Sequence, residues 1–263
     1  MVDTLQNGKG AGKQWLARTL RLTLFPKGAV DVEMALPWWE QLLGSAPEVE
    51  SRQRAQGLVQ LEGPFGRGRL SVAVSSGARI DWILRALDPE ASSSPSSEFP
   101  VLGSFREIAE QFVGLMKQWL SVSPQASRLA FGAELVQPVD SIRDGYTRMG
   151  EYLTHAVKVD PESSDFFYRI NRSRTSKSLG PSLRINRLSS WSVVQARYLS
   201  LVIPGGREVT GQLAPASQVV CRLELDINSF PDYSEELDNA QLRQLLDEFF
   251  ALCTEIAERG DVP

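Results

Sequence analysis

Short segments in which hydrophobic and polar residues alternate recur along the chain. TLRLTLFP at 19–26 alternates Leu with Thr and Arg, and QVVCRLELDINSF at 218–230 alternates apolar residues with Arg222, Glu224 and Asp226. A period of two residues is typical of a strand with one buried face. Three further apolar runs within 57–87, separated by glycine-containing turns, predict an antiparallel meander.

Two segments carry apolar residues at helical spacing behind a predicted capping box. The first begins at Ser104, with Glu107 three residues later; the second begins near Asp238, with Gln241 three residues later, and ends at Gly260. Weaker patterns predict three more elements: a short helix opening with Pro37, a strand over 128–138 stopped by Pro138, and a helix over 140–153.

The tetrapeptide RINR occurs twice, in the strand-like segments 166–176 and 183–190. The intervening KSLGPS contains a Gly-Pro pair, which marks a turn, so the two segments predict a hairpin. Such a hairpin would bring Arg169, Arg172, Arg184 and Arg187 near one another, on faces that depend on a register the sequence leaves open. WSVVQARYLSLVIP at 191–204 predicts a further strand.

The order of the predicted elements indicates the fold class. Strands come in runs instead of alternating singly with helices, which favours an α+β fold with helices packed on one face of antiparallel sheet. A polar boundary near 157–165 would divide the chain into a flexible N-terminus at 1–15, an α+β half at 16–157 and a second half at 158–263. One continuous domain is the alternative. The Ser- and Pro-rich stretch 88–100 predicts a surface loop.

Composition narrows the class of protein. The 263 residues are 42% hydrophobic and 23% charged, as in ordinary globular chains. No apolar run approaches the roughly 18 residues of a membrane span, and the N-terminus lacks the apolar core of a secretory signal. The two cysteines, Cys221 and Cys253, lie in apolar contexts and are expected to be reduced core residues of a cytoplasmic protein.

The net charge of −4 conceals a strong asymmetry along the chain. Residues 166–207 hold eight Lys or Arg and no carboxylate, whereas residues 208–263 hold three basic and twelve acidic side chains. One interpretation is an anion-binding surface for phosphate or nucleic acid. Its cations would be Arg169, Arg172, Arg174, Lys177, Arg184 and Arg187, with Tyr168 and Trp191 as stacking surfaces. In the other interpretation, the acidic segment neutralises the basic one.

Signatures of catalysis are weak. His155 is the only histidine, which excludes a two-histidine metal site, and GKGAGKQ at 8–14 departs from a phosphate-binding loop in length and in its last residue. Glu224 and Asp226 share one face of a predicted strand and could hold a divalent ion or divide acid and base roles, but Arg222 flanks them on that face. We therefore expect no catalytic residue, metal or cofactor, and favour a protein that is not an enzyme.

Four segments carry a resemblance to a known family. In order, RIDWIL at 79–84, RLAFGA at 128–133, RINR at 184–187 and RLELDIN at 222–228 before a terminal helix resemble a sporadically distributed bacterial family of uncharacterised proteins of this length. The resemblance implies a cytoplasmic location and the patchy distribution of mobile or defence-associated genes. It implies no catalytic residues.

Three functional hypotheses follow. The first is an interaction subunit that recognises another protein, within a bacterial defence or toxin-related complex; homo-oligomerisation stays open. The second is a nucleic-acid or phosphate-ligand binder that uses the basic segment 166–207. The third is a metal-dependent hydrolase centred on Glu224 and Asp226. No membrane partner is expected.

Overall fold

A computed structural model describes residues 14–76, 79–87, 99–202, 210–233 and 235–262, with the backbone alone over 196–202 and 210–217. The strands are β1 Leu16–Pro26, β2 Val49–Gln53, β3 Leu58–Phe65, β4 Gly68–Ser75, β5 Arg79–Ala86, β6 Gly103–Ser104, β7 Ala126–Val139, β8 Phe167–Asn171, β9 Arg174–Thr175, β10 Arg184–Val202 and β11 Thr210–Ser229. The α-helices are α1 Ala35–Leu43, α2 Phe105–Leu120, α3 Ile142–Tyr152 and α4 Asn239–Arg259. The predicted strands and helices are thus present with shifted ends.

The strands form one antiparallel sheet of 11 strands in the order β2-β3-β4-β5-β1-β7-β11-β10-β8, with β6 paired to β1 and β9 paired to β10. The predicted meander is confirmed as β3, β4 and β5. The sheet continues across the predicted boundary at 157–165, because β7 pairs with β11 over ten residue pairs from Val139 to Ala130. The α+β class is confirmed.

One face of the sheet is covered by the helices. Alternate residues of each central strand point to this face, as Leu20, Leu22 and Leu24 of β1 do, and they are fully buried. Phe112 of α2 packs on Phe131 of β7 with ring centroids 6.4 Å apart. The core therefore lies between the sheet and the helix layer, and the alternate residues of the same strands face the other way.

Four tryptophans form a connected group in this core. Trp39 of α1 stacks on Trp82 of β5 with centroids 6.3 Å apart, and Trp119 of α2 meets the edges of Trp82 and Trp38 at 5.7 Å. Each of the four is at least 96% buried. They join α1, α2 and the meander end of the sheet into one packed unit.

The structure corrects three predictions about element ends. Ser104 precedes α2 as predicted, but its side chain makes no cap hydrogen bond to the helix. The prediction of a capping box at Ser104 is therefore wrong. Pro138 does not stop β7, which continues to Val139. The segments 183–190 and 191–204 form one strand, β10, because β11 pairs with it along its length.

Other predictions are confirmed or lie partly outside the described residues. The capping box of Asp238 and Gln241 opens α4. Cys221 and Cys253 are buried and form no disulfide, and burial raises the pKa of the Cys221 thiol to about 12.

The packed fold begins before residue 16, because Trp15 lies in the core and its indole N–H donates to the Ala257 carbonyl. Residues 1–13 and 88–98 lie outside the described ranges. Among the described residues, no helix is both long and apolar enough to span a membrane.

Candidate functional site

The predicted basic hairpin is present, and its two RINR copies lie side by side. β8 pairs antiparallel with β10, with Tyr168 opposite Trp191. Asn171 of the first copy donates from Nδ2 to Oδ1 of Asn186 in the second at 2.8 Å. The Asn171 Oδ1 accepts from the backbone N–H of Arg187 at 3.0 Å. The two asparagines thus fasten the repeats together.

The arginines of the hairpin do not form one cluster. Residues three apart in a strand lie on opposite faces, so the first and last arginine of each RINR copy separate. Arg169 and Arg184 lie on the face without helices, whereas Arg187 lies under α4 and is 5% exposed. Burial lowers the pKa of the Arg187 guanidinium, although nearby Glu255 acts in the opposite direction.

Three of the basic side chains meet carboxylates from the acidic C-terminal segment. Arg172 binds Asp261 with two hydrogen bonds, from Nε at 2.5 Å and from Nη2 at 2.8 Å. The other two pairs, each 3.6 Å between N and O, are Arg174 with Glu248 and Arg187 with Glu255. These three pairs agree with the interpretation in which the acidic segment 208–263 neutralises the basic segment 166–207.

Glu248 and Asp261 are the best satisfied of these carboxylates. Glu248 accepts from the hydroxyls of Ser176 and Ser178 and from the backbone N–H groups of Lys177 and Ser178, at 2.7 to 3.1 Å. Burial raises the pKa of Glu248, but these hydrogen bonds outweigh it and the pKa is lowered. The pKa of Asp261 is lowered in the same way, because the bonds from Arg172 and Tyr168 outweigh its burial.

The lowered pKa of Glu248 predicts an acid-dependent loss of stability. A carboxylate with a depressed folded-state pKa contributes stability that is present above its unfolded pKa of about 4.3 and is lost as the pH falls further. Urea unfolding should therefore show Glu248→Gln well below wild type at pH 7, with the difference shrinking toward pH 3. Glu110→Gln, at an exposed position of α2, is the matched control. A gap of constant size from pH 7 to pH 3 would contradict the assignment.

The two residues expected to stack on a base are turned toward the core. Trp191 is fully buried and packs against Trp15 and Tyr152, at 6.1 and 5.6 Å between centroids. Tyr168 is half-buried, and its hydroxyl donates to Asp261 at 2.8 Å. The Trp191 ring is therefore closed to a ligand, and the Tyr168 hydroxyl is engaged by Asp261.

Three cations of the segment remain on the surface. Arg184 stacks on the Phe230 ring, 4.7 Å from its centroid, and donates to Ser173. Lys177 and Arg169 are exposed, and no ion pair involves either of them within the described ranges. The side chain of Arg197 and the whole of Arg207 lie outside those ranges.

The face of the sheet opposite the helices, called the open face here, carries a concavity of about 440 Å³. Strands β1, β7, β11, β10 and β8 contribute to it, and Gly132, Leu188 and Ser190 form its floor. The Arg21 guanidinium lies across β7 at Gly132, 3.5 Å from where a Cβ of that residue would be, which is ordinary van der Waals contact. The hollow exists because small residues lie between longer charged ones.

Charges of both signs alternate across the open face. Glu134 of β7 accepts from Arg18 at 3.2 Å and from Arg222 at 2.8 Å, and Arg222 also pairs with Glu224. Asp226 lies 3.9 Å from the Arg21 guanidinium and accepts from Asn228 at 3.0 Å. Both candidate catalytic carboxylates are therefore in ion pairs. In the described part of the chain, no three His, Cys, Asp or Glu side chains are grouped as a metal ion requires.

Two exposed side chains form the lip of the concavity. Phe167 of β8 is 62% exposed, the largest value among the large apolar side chains of the described residues. Arg169, two residues later on the same face, lies beside it. Sequence reasoning missed Phe167, and it missed the contribution of Arg18, Arg21 and Glu134. Strand alternation places each of them on a face, but only the strand order β1-β7-β11-β10-β8 brings them together.

Comparison with protein families and with curated proteins finds no match to this chain.

Proposed function

We propose that this protein is a non-enzymatic recognition subunit that binds another protein on the open face of its sheet. The observation that carries the proposal is the concavity on that face, edged by an exposed Phe167 and by an exposed Arg169 that has no ion pair among the described residues. Exposed aromatic side chains next to an arginine are enriched where proteins bind one another. A complex within a bacterial defence or toxin-related system is the setting we propose.

The charge pattern indicates the chemistry of the partner. Glu134, Glu224 and Asp226 lie at the centre of the face, and each is already paired with an arginine. Because these ion pairs already engage Arg18, Arg21 and Arg222, they leave few cations for a polyanion, whereas a protein surface can present charges of both signs. At the lip, Phe167 and Arg169 fit a partner with an apolar side chain next to a carboxylate.

Site-specific photo-crosslinking tests the proposal. A benzoylphenylalanine at position 167, in the full chain expressed in its native host, should trap a partner that can be identified by mass spectrometry and purified. The control position is Val122, which is 43% exposed in the turn after α2, on the helix side. The purified partner should bind the Arg169→Glu variant at least about tenfold more weakly, because the reversal places like charges together.

Two results would contradict the proposal. Equal crosslinking at positions 167 and 122 would show that the partner does not bind the open face in preference to the helix side. Unchanged affinity of the purified partner for Arg169→Glu would show that the lip does not bind it.

A nucleic-acid or phosphate-ligand binder is the second candidate, favoured by the exposed Arg169, Lys177 and Arg184 and by the stack of Arg184 on Phe230. Labelled single-stranded and duplex oligonucleotides in fluorescence anisotropy test it. Binding through these cations should weaken steeply with salt, and Arg169→Gln with Arg184→Gln should flatten the slope by about 2. Absence of binding at low salt would remove this candidate.

A further inference from the structure

The sheet ends in a fully exposed edge strand. β2 is the terminal strand of the sheet, and all five of its residues, Val49 to Gln53, are exposed. It pairs with β3 on one side in unbroken register from Val49 opposite Glu62 to Gln53 opposite Leu58. No strand in the described ranges pairs with its other side. An edge of this kind presents backbone N–H and C=O groups that another strand can pair with.

The sequence of β2, VESRQ, is complementary to itself in charge. If two copies of β2 pair antiparallel about a twofold axis at Ser51, Glu50 of each copy lies opposite Arg52 of the other. Residues 50 and 52 point to the same face, so both cross-strand pairs are on one side of the joined sheet. Exposed charges usually protect an edge from pairing, but these charges favour one particular pairing.

Contacts within the chain hold the Arg52 side chain in place for this role. Its Nη1 lies 2.5 Å from Oε2 of Glu33, in the turn that precedes α1, and its Nε bonds to Glu50. The guanidinium is therefore fixed beside the strand and does not need to be ordered on association.

The opposite edge of the sheet is less accessible. β8 alternates exposed and half-buried residues, and its Tyr168 is tied to Asp261. Because β2 is exposed along its whole length, the β2 end of the sheet is the more accessible surface for association.

We propose that two copies of this chain associate through β2, in the antiparallel register that places Glu50 opposite Arg52, to form one continuous sheet. The interface is isologous, because each copy contributes the same strand, and the assembly therefore closes as a dimer. Five residues bury less than a standard interface of about 800 Å² per partner, and the dimer is accordingly weak and reversible.

Sedimentation equilibrium of the full chain tests the proposal. From about 1 to about 500 µM, a range that covers small interfaces, the mass should rise from 29.1 kDa toward twice that value. Glu50→Arg should weaken the dimer about tenfold or more, because two like-charged pairs then face each other. The double variant Glu50→Arg with Arg52→Glu should restore it in part, because the strand is again self-complementary although the new carboxylate at position 52 lies beside Glu33. Glu40→Arg, an equal charge change at an exposed position of α1, should leave the dimer unchanged.

Each other result overturns the proposal. The proposal is wrong if the wild-type chain stays monomeric over the whole range. It is also wrong if Glu50→Arg dimerises as strongly as the wild type or the Glu40→Arg control. Failure of the double variant to regain association, with an unchanged circular dichroism melt, excludes the register. Three strands, β3, β4 and β5, separate β2 from β1, the nearest strand of the concavity, and β8 lies at the far end of the sheet, so Glu50→Arg leaves crosslinking at position 167 intact. The two proposals therefore fail independently.

Discussion

Replacing Arg172 by methionine is expected to lower the free energy of unfolding by about 2–3 kcal/mol, because the Asp261 carboxylate loses its counter-charge. The Asp261 side chain is only 3% exposed, and Arg172 provides two of its hydrogen bonds. Tyr168 would remain as a neutral donor. The loss stays below that of a wholly buried pair because Arg172 itself is 28% exposed, and water can reach the vacated site.

Urea unfolding at pH 7 measures this effect. Arg169→Met is the matched control, since it removes the same side chain from the open face, where it has no ion pair in the described part of the chain; a change within about 0.5 kcal/mol is expected. Adding Asp261→Asn to Arg172→Met should recover part of the stability, because the buried charge is then removed. If the double variant is no more stable than Arg172→Met, the isolated carboxylate is not the cause of the loss.

The second large effect is expected from Trp82→Ala, which should cost about 3–5 kcal/mol. Trp82 is fully buried, stacks on Trp39 at 6.3 Å and meets Trp119 at 5.7 Å. Its removal leaves a cavity where α1 and α2 meet the sheet, and the two neighbouring indoles lose a shared packing surface. A fall in Tm of about 10 °C should follow in a thermal melt.

Trp82→Phe separates packing from hydrogen bonding at this position. The Trp82 indole N–H has no hydrogen-bond partner in the described part of the chain, so no such bond is lost with it. We expect the phenylalanine variant to lose less than half as much stability as the alanine variant. Equal losses in the two variants would show that a phenyl ring retains none of the packing that the indole provides.

Local pattern was sufficient to predict most elements but not their ends. Alternation along 218–230 predicts β11 and the buried set from Val219 to Ile227, because burial on one face directly produces a period of two. The capping box at Ser104 failed although the helix is present, since a Ser and a Glu at the right spacing do not ensure the hydrogen bonds. β7 continues through Pro138 to Val139 because β11 still pairs with it there, with Val220 opposite Pro138 and Val219 opposite Val139.

The candidate site was beyond local reasoning for a different reason. The sequence shows eight cations without a carboxylate in 166–207, but their partners Glu248, Glu255 and Asp261 come from α4 and the residues after it. The open face likewise depends on β1, from the start of the chain, lying two strands from β11. Sheet order and register are set by packing over the whole fold, and no short segment encodes them.

The origin of the counter-charges in α4 has a consequence for synthesis of the protein. On the ribosome, β8 and β10 emerge before α4, so Arg172, Arg174 and Arg187 leave the exit tunnel without the carboxylates they later meet. Until α4 docks, the nascent chain displays a strongly cationic surface over strands that have not yet been covered. Translation therefore passes through a stage in which these guanidinium groups have yet to meet their counter-charges, and the docking of the last helix ends it.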